Sequence, residues 1–248
     1  MRPLRDGLLT AAGAVGTTLL WHGLRKRRDR SWATRWERTN HAGRPVTLLE
    51  GVALVAGTAG TAVVTAPAWP GAALPYAVAS LAAGSLGALD DLRQDTDRKG
   101  LVGHLSALAH GRVTTGALKI IGLVATGLVV TVISDAQRPG TDQGQRPLLA
   151  TAGSTLVGAA VVAGSANLAN LFDLRPGRAL KVGVLAGVPL VVTGAGSPAA
   201  AVTLGASAAL LPDDLAGTSM LGDTGANPLG AVLGLALIQR QGPVARVV

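Results

Sequence analysis

Eight apolar runs alternate with short polar segments along the 248 residues of the chain. The runs lie at 7–24, 47–66, 72–89, 117–135, 148–166, 182–195, 198–211 and 227–239. A helix needs about 20 mainly apolar residues to cross a bilayer, and about 17 is the lower end of the range. The first five runs reach or approach that length, whereas those at 182–195 and 198–211 would need a tilted, extended or re-entrant path. The pattern predicts an all-α polytopic membrane protein of about eight transmembrane helices in one domain, 1–248, with a cytoplasmic-facing cleft.

The composition supports a chain that faces lipid. Hydrophobic residues make up 48% of the sequence and charged residues only 15%, against about 25% charged residues in a soluble domain. There are no cysteines, which excludes disulfides and thiolate chemistry. Aromatic residues are 2% of the chain, too few to form a platform on which bases could stack.

The first apolar run is predicted to be a membrane anchor. A signal peptide is the alternative, but no small-residue cleavage site follows this run. The basic stretch RKRRDR comes next, at 25–30, and it favours a helix whose C-terminal end lies in the cytoplasm.

The basic residues predict the orientation of the whole chain. With eight spans, 16 of the 22 Lys and Arg residues lie on one side, in or next to the segments 25–45, 90–116, 167–181 and 212–226. Cytoplasmic loops carry such an excess, so we expect that side to be cytoplasmic and both termini to lie outside. The net charge of +8 is then mainly a topology signal, with some attraction for anionic headgroups or phosphorylated substrates. Nucleic acid is not an expected partner.

The residue usage indicates the source of the chain. Arg outnumbers Lys by 18 to 4, alongside abundant Ala, Gly and Val. This bias is typical of a GC-rich bacterial genome. We therefore expect a multi-pass protein in the cytoplasmic (inner) membrane of a bacterium.

Carboxylates are rare, yet three distant segments carry them at the predicted cytoplasmic boundary. There are 14 acidic residues in the chain. Those of interest, with their amide neighbours, are Asp90 and Asp91 after the third run, Asn167, Asn170 and Asp173 after the fifth, and Asp223 before the last. Members three residues apart share one face of a helix. We expect these groups to meet at one membrane face.

Each group also has a structural explanation. Asp90 and Asp91 are compatible with solvated helix ends, and the Asn residues with interhelical hydrogen bonds, which polar residues in membrane bundles often form. The sequence GDTG also suits a turn. The remaining nearby carboxylates are interpreted as loop charges or caps: Asp95, Asp97, Asp213 and Asp214. His104 and His110, six residues apart, have a poor spacing for a helical zinc site.

The combination favours phosphoryl-transfer chemistry. Carboxylate and amide oxygens suit Mg²⁺, which keeps waters and substrate phosphates in its coordination shell; Mn²⁺ is the alternative ion. The metal neutralises charge that develops on a phosphate leaving group, and nearby cations can bind the phosphates. These cations are Arg98, Lys99, Arg112, Lys119, Arg175, Arg178 and Lys181.

The order of the motifs resembles a known enzyme superfamily. ALDD, NLANLFD and MLGDTGANPLG, which begin at 88, 167 and 220, are similar to motifs of the polyprenyl-phosphate N-acetylhexosamine-1-phosphate transferases, which include phospho-MurNAc-pentapeptide translocase. The likeness runs from residue 38 to the last apolar run. It implies a polytopic, Mg²⁺-dependent enzyme with a cytoplasmic site. Such enzymes transfer a sugar-1-phosphate from a UDP-sugar to undecaprenyl phosphate and release UMP.

The resemblance also implies roles for individual residues. Asp90 and Asp91 match an Asp pair associated with binding and deprotonation of the lipid phosphate, and Asp173 completes the catalytic set. Asp223 matches a metal-binding aspartate. The candidate phosphate-binding residues are Asn167 and Asn170 with the cations Lys99, Arg112, Lys119, Arg175, Arg178 and Lys181.

Departures from the family pattern leave other functions open. Where the family continues Asn-x-x-Asp-Gly-x-Asp-Gly, this chain has Leu174 and Pro176, and no histidine follows His110. The donor is therefore a nucleotide sugar or another phosphorylated molecule. A non-catalytic relative that binds polyprenyl phosphate or scaffolds envelope assembly is one alternative, and a small transporter or channel is another. A homodimer also stays open.

Overall fold

The computed structural model describes residues 2–69, 71–93, 115–138, 147–193 and 197–246. In these ranges the chain forms eight long α-helices. They are α1 (Arg2–Arg25), α2 (Leu49–Thr65), α3 (Ala73–Arg93), α4 (Thr115–Ala136), α5 (Leu148–Phe172), α6 (Arg178–Val192), α7 (Ser197–Leu215) and α8 (Gly222–Ala245). Two short 3₁₀ turns, Ala33–Trp36 and Ala66–Ala68, and two strands, β1 (Glu37–Thr39) and β2 (Pro45–Thr47), complete the described structure.

The helices coincide in order with the eight predicted apolar runs, and the all-α class is confirmed. Within the described ranges, three segments are long and apolar enough to cross a membrane: Leu49–Ala68, Gly116–Ala136 and Leu148–Phe172. The prediction of eight transmembrane helices is therefore not confirmed, and length and composition support three candidate spans among the described residues. In α1, glycines and threonines interrupt the apolar run, and α3 ends in charged residues, which lowers the hydropathy of both.

The outer surface of the bundle carries large apolar side chains. Val64, Leu149, Leu185 and Val192 are each more than two-thirds exposed, and they come from three different helices. A soluble monomer rarely exposes a continuous apolar surface of that kind. This surface fits a protein that resides in a membrane.

A small hairpin is an addition that the apolar pattern does not predict. Strands β1 and β2 pair antiparallel, and the side chain of Asn40 accepts hydrogen bonds from the backbone N–H groups of Ala42 and Arg44 in the turn. Strands of three residues are too short to give a clear alternation. Thr47 forms a parallel bridge with Ser219, so the hairpin supports the loop that leads into α8.

Helix α8 is the centre of the bundle. It packs most extensively against α5 and α3, while α1 packs against α7 and α2. Small residues let the backbones approach closely, as is common in membrane bundles. A Cβ atom on Gly87 of α3 would collide with the carbonyl oxygen of Asp223, and one on Gly51 of α2 with that of Leu221. These contacts hold the first turn of α8 between α2 and α3.

Candidate active site

The N-terminal end of α8 is where the predicted site residues meet. Around it lie the C-terminal ends of α3 and α5, the first turns of α4 and the loop that follows α7. A helix start leaves backbone N–H groups without partners inside the helix and attracts negative charge. Carboxylates from two other helices satisfy those groups here.

Asp91 caps α8 from the end of α3. Its carboxylate accepts hydrogen bonds from the backbone N–H of Thr224 at 2.8 Å, from the Thr224 hydroxyl at 2.6 Å and from the Asp223 N–H at 3.2 Å. Its own carbonyl oxygen accepts a hydrogen bond from the guanidinium of Arg38. Asp91 thus connects β1, α3 and α8, and its carboxylate orients the residue that follows Gly222.

Asp173 caps the same helix from another direction. It comes directly after α5 and is buried, and its Oδ2 accepts a hydrogen bond from the backbone N–H of Gly222 at 2.8 Å. Gly222 has φ of 60°, a value that favours glycine over other residues. Asp91 and Asp173 therefore both fix the backbone around Asp223.

Asp223, Asp90 and Lys119 form the part of the site that remains open to solvent. The Lys119 ammonium forms an ion pair with Asp223, and its Nζ lies 3.6 Å from Asp90. The exposed fractions of the side chains are 11% for Lys119, 19% for Asp223 and 28% for Asp90. Two carboxylates and one cation are thus accessible at one rim.

Asp90 and Asp223 at the rim differ in the direction of their pKa change. Both residues lie outside the predicted membrane spans. Burial raises the pKa of Asp90 to about 7, and the hydrogen bonding and charge of Asp223 act in the same direction. Burial disfavours the charged form of Asp223 too, but Asp90 and Lys119 outweigh it and hold the pKa of Asp223 below its usual value. The pair therefore supplies one permanent carboxylate and one group that gains or loses a proton near neutral pH.

The capping carboxylates differ from the rim. Burial and the charge of Asp223 raise the pKa of Asp91, although its hydrogen bonds with Thr224 act against this. Burial and the charge of Asp214 raise the pKa of Asp173 well above its usual value. Asp91 and Asp173 both accept hydrogen bonds from backbone N–H groups at the start of α8, which is the contact expected of a helix cap.

The other predicted phosphate-binding residues differ in how close they lie to the site carboxylates. Asn170 lies within hydrogen-bonding reach of Asp223, whereas Asn167 is exposed one turn earlier on α5. Arg175 borders a small cavity next to Asp173, and Arg178 and Lys181 are exposed at the start of α6. The remaining predicted residues lie outside the described part of the chain: Asp95, Asp97, Arg98, Lys99, His104, His110 and Arg112.

Several residues at this end of the bundle are absent from the predicted site. Thr224 and Arg38 both contact Asp91. The motif GDTG, which contains Thr224, was the only sequence feature that indicated either residue. Asp214, interpreted as a loop charge or cap, is instead 1% exposed and lies near the fully buried Glu50. Asp213, given the same interpretation, lies in the last turn of α7 and accepts hydrogen bonds from Trp21 and Arg25.

The oxygen atoms at the rim can hold a metal only together with other ligands. Among the residues that the structure describes, no group of three or more His, Cys, Asp or Glu side chains is arranged to hold a metal ion. Mg²⁺ characteristically uses one or two carboxylates and takes its other ligands from water and substrate phosphates. Asp90 and Asp223, with the Asn170 amide, match that donor set.

No protein-family model matches this chain, and no curated protein matches it significantly. The case for a function therefore depends on the site itself.

The cap contacts of Asp91 lead to a stability prediction. Replacing Asp91 by Ala leaves the Thr224 N–H and hydroxyl without their acceptor, and loss of such a cap costs about 0.5–2 kcal/mol. At about 2–4 °C per kcal/mol for a chain of this size, we expect a clear fall in the thermal unfolding midpoint, measured by circular dichroism in detergent. Asp29→Ala changes an exposed carboxylate and is the control. Equal midpoints for both variants would contradict a capping role.

Proposed function

We propose that the chain is a Mg²⁺-dependent phosphoglycosyltransferase. It transfers a sugar-1-phosphate, or a related phosphoryl group, from a nucleotide-activated donor to a polyprenyl phosphate at the cytoplasmic face of a bacterial inner membrane. The observation that carries this proposal is the meeting of Asp90, Asp223 and Lys119 at the capped start of α8. Two carboxylates and a cation at a helix N-terminus are suited to a phosphate-rich reaction.

Each rim residue has a chemical role in this proposal. A phosphate oxygen of the lipid attacks the donor's sugar-linked phosphorus, the bond to the other donor phosphate breaks, and the nucleoside monophosphate leaves. Asp90, whose pKa is about 7, accepts the proton of a monoprotonated lipid phosphate and so increases the charge on the attacking oxygen. Lys119 binds a phosphate oxygen once it is released from Asp223.

Asp223 would hold the metal, with Asp90 and Asn170 beside it. A bound Mg²⁺ would supply positive charge that stabilises the phosphate leaving group. The ion pair between Lys119 and Asp223 marks a place where Asp223 already neutralises a cation. Asp91 and Asp173 position Asp223 through the backbone of α8.

The membrane arrangement of the proposal follows from the apolar surface and the charge distribution. All eight helices cross the bilayer, and the rim faces the cytoplasm because the Lys and Arg excess lies on that side. A polyprenyl phosphate would then place its phosphate at the rim and its chain along the apolar outer surface. The exposed cations Arg178 and Lys181 lie where a phosphorylated donor would approach.

The test is a donor panel with purified protein. Full-length protein in detergent is incubated with undecaprenyl phosphate, Mg²⁺ and a series of nucleotide sugars, and the lipid product is read by mass spectrometry. We expect one donor to give a sugar-diphosphate lipid, with activity lost after EDTA and restored by Mg²⁺ or Mn²⁺. Undecaprenyl phosphate binding without turnover of any donor would instead favour the non-catalytic binder, for which the altered motif at Leu174 and Pro176 is the motivation.

A further inference from the structure

A second group of oxygen atoms lies behind the candidate active site and has no partners. Glu50 in the first turn of α2 is fully buried, and Asp214 at the end of α7 and Ser219 in the following loop are each 1% exposed. Within the described part of the chain, four of their oxygen atoms have no hydrogen-bond partner of good geometry: both of Glu50, Oδ2 of Asp214 and the hydroxyl of Ser219. Buried polar groups are nearly always paired, so this group requires an explanation.

These three side chains face one another. The Glu50 carboxyl lies beside the Ser219 hydroxyl and within electrostatic reach of Asp214 and Asp173. Asp214 and Ser219 also border a common cavity of about 30 Å³, together with Asp173. A space of that size holds about one water-sized particle. Asp214 and Ser219 thus border a space in which a single small ligand fits, and Glu50 lies beside Ser219.

The charge of the group is not balanced by an ion pair among the residues that the structure describes, although Arg175 borders the same cavity. None of the ion pairs formed by the described residues includes Glu50 or Asp214. The hydrogen bond from the Gly177 backbone to Asp214 is the one protein contact that supports its charge. Taking two carboxylates out of water without a cation is strongly unfavourable.

We propose that Glu50, Asp214 and Ser219 bind an inorganic cation, at a site separate from the Asp223 rim. Carboxylate and hydroxyl oxygens are hard ligands that suit Na⁺, K⁺ or Ca²⁺. The cavity has no room for the several waters that Mg²⁺ retains, so the ion is one that loses its hydration shell readily. The ion completes its coordination with a water in the cavity or with backbone oxygens.

The location gives such an ion a structural role. Thr47 bridges Ser219, and its carbonyl oxygen accepts a hydrogen bond from the Met220 N–H. Two residues later the chain enters α8 at Gly222. A cation between α2, α7 and this loop would hold the approach to Asp223 in place. The bound ion is therefore expected to stabilise the fold whether or not the chain is an enzyme.

The test measures binding without depending on transfer activity. Full-length protein in detergent, carrying Asp223→Asn to disable the rim, is titrated with Na⁺, K⁺, Ca²⁺ and Mg²⁺ chlorides at constant ionic strength, with choline chloride as the balancing salt. We expect Na⁺, K⁺ or Ca²⁺ to raise the thermal midpoint in a saturable manner, by about 5 °C at saturation. Mg²⁺ is expected to have a smaller effect.

The variants decide whether the response comes from this group. Glu50→Gln and Asp214→Asn are expected to abolish the saturable rise, and Ser219→Ala to shift it to at least tenfold higher ion concentration. Asp29→Asn, which changes an exposed carboxylate, should leave the saturable rise in the thermal midpoint unchanged. If no ion gives a saturable rise, or if the rise persists in Glu50→Gln and Asp214→Asn, the proposal is wrong and protons neutralise the two carboxyls. Ser219→Ala keeps both carboxyls and still tests the site should those two variants fail to fold.

Discussion

Asp223→Asn is expected to lower the rate of lipid-product formation by about 10³-fold while the protein stays folded. The substitution keeps the size of the side chain and removes the charge that pairs with Lys119 and, in the proposed function, binds the metal. Loss of one group that stabilises transition-state charge typically costs 10²–10³-fold, and the metal contribution adds to it. Initial rates at saturating donor, lipid phosphate and Mg²⁺ provide the measurement.

The control for this experiment is another carboxylate on the same chain. Asp29→Asn changes an exposed residue in the turn after α1 and should retain the full rate. The thermal midpoint of Asp223→Asn should stay near that of the unmodified protein, because the Asp223 side chain is not among the caps of α8. Unchanged Mg²⁺-dependent turnover in Asp223→Asn would refute the proposed mechanism.

Gly87→Ala is expected to damage both stability and transfer although it adds a single methyl group. The new Cβ would collide with the carbonyl oxygen of Asp223 and lie 2.6 Å from the Thr224 nitrogen. These are backbone atoms of a capped helix start, so they cannot move aside as a flexible side chain does. Such overpacking costs about 1–3 kcal/mol, and a displacement of about 1 Å at a reacting group can cost 10²-fold in rate.

Gly60→Ala provides a matched comparison for this prediction. Gly60 lies in α2, and a Cβ there would meet no atom within 4 Å. Alanine favours a helix over glycine by about 0.5–1 kcal/mol, so this variant should be as stable as the unmodified protein or slightly more so. Thermal midpoints and initial rates of the two variants are measured side by side. Equal behaviour would mean that the close approach of α3 and α8 does not position Asp223.

The apolar pattern and the charges together predict most of the helix ends that come together at the site. Once the runs are treated as consecutive membrane crossings, Asp90 at the end of the third, Asp173 after the fifth and Asp223 before the eighth all come to the same side. The helix ends in the structure agree with that arrangement. Among the described residues, length and composition make three segments candidates for membrane crossing, since glycine, threonine and end charges weaken the signal elsewhere.

The partners of each carboxylate could not be predicted in the same way. Asp90 and Asp91 are adjacent in the sequence, yet Asp91 caps α8 while Asp90 faces Lys119. Neighbouring residues of a helix point about 100° apart, and only the rotation of α3 about its axis determines which of them faces α8. The same holds for Asp213 and Asp214, of which one pairs with Arg25 and the other is buried near Glu50.

The sequence by itself determined the all-α class, the order of the eight long helices that the structure describes and the end of the bundle where carboxylates collect. These properties depend on hydrophobicity and charge, which add up along the chain. The tertiary structure decided which carboxylates cap a helix, which ones face the rim and that Glu50 is buried beside Ser219 without an ion pair among the described residues. These properties depend on backbone approach distances of a few ångströms, such as that between Gly87 and Asp223, and they arise only when distant segments pack together.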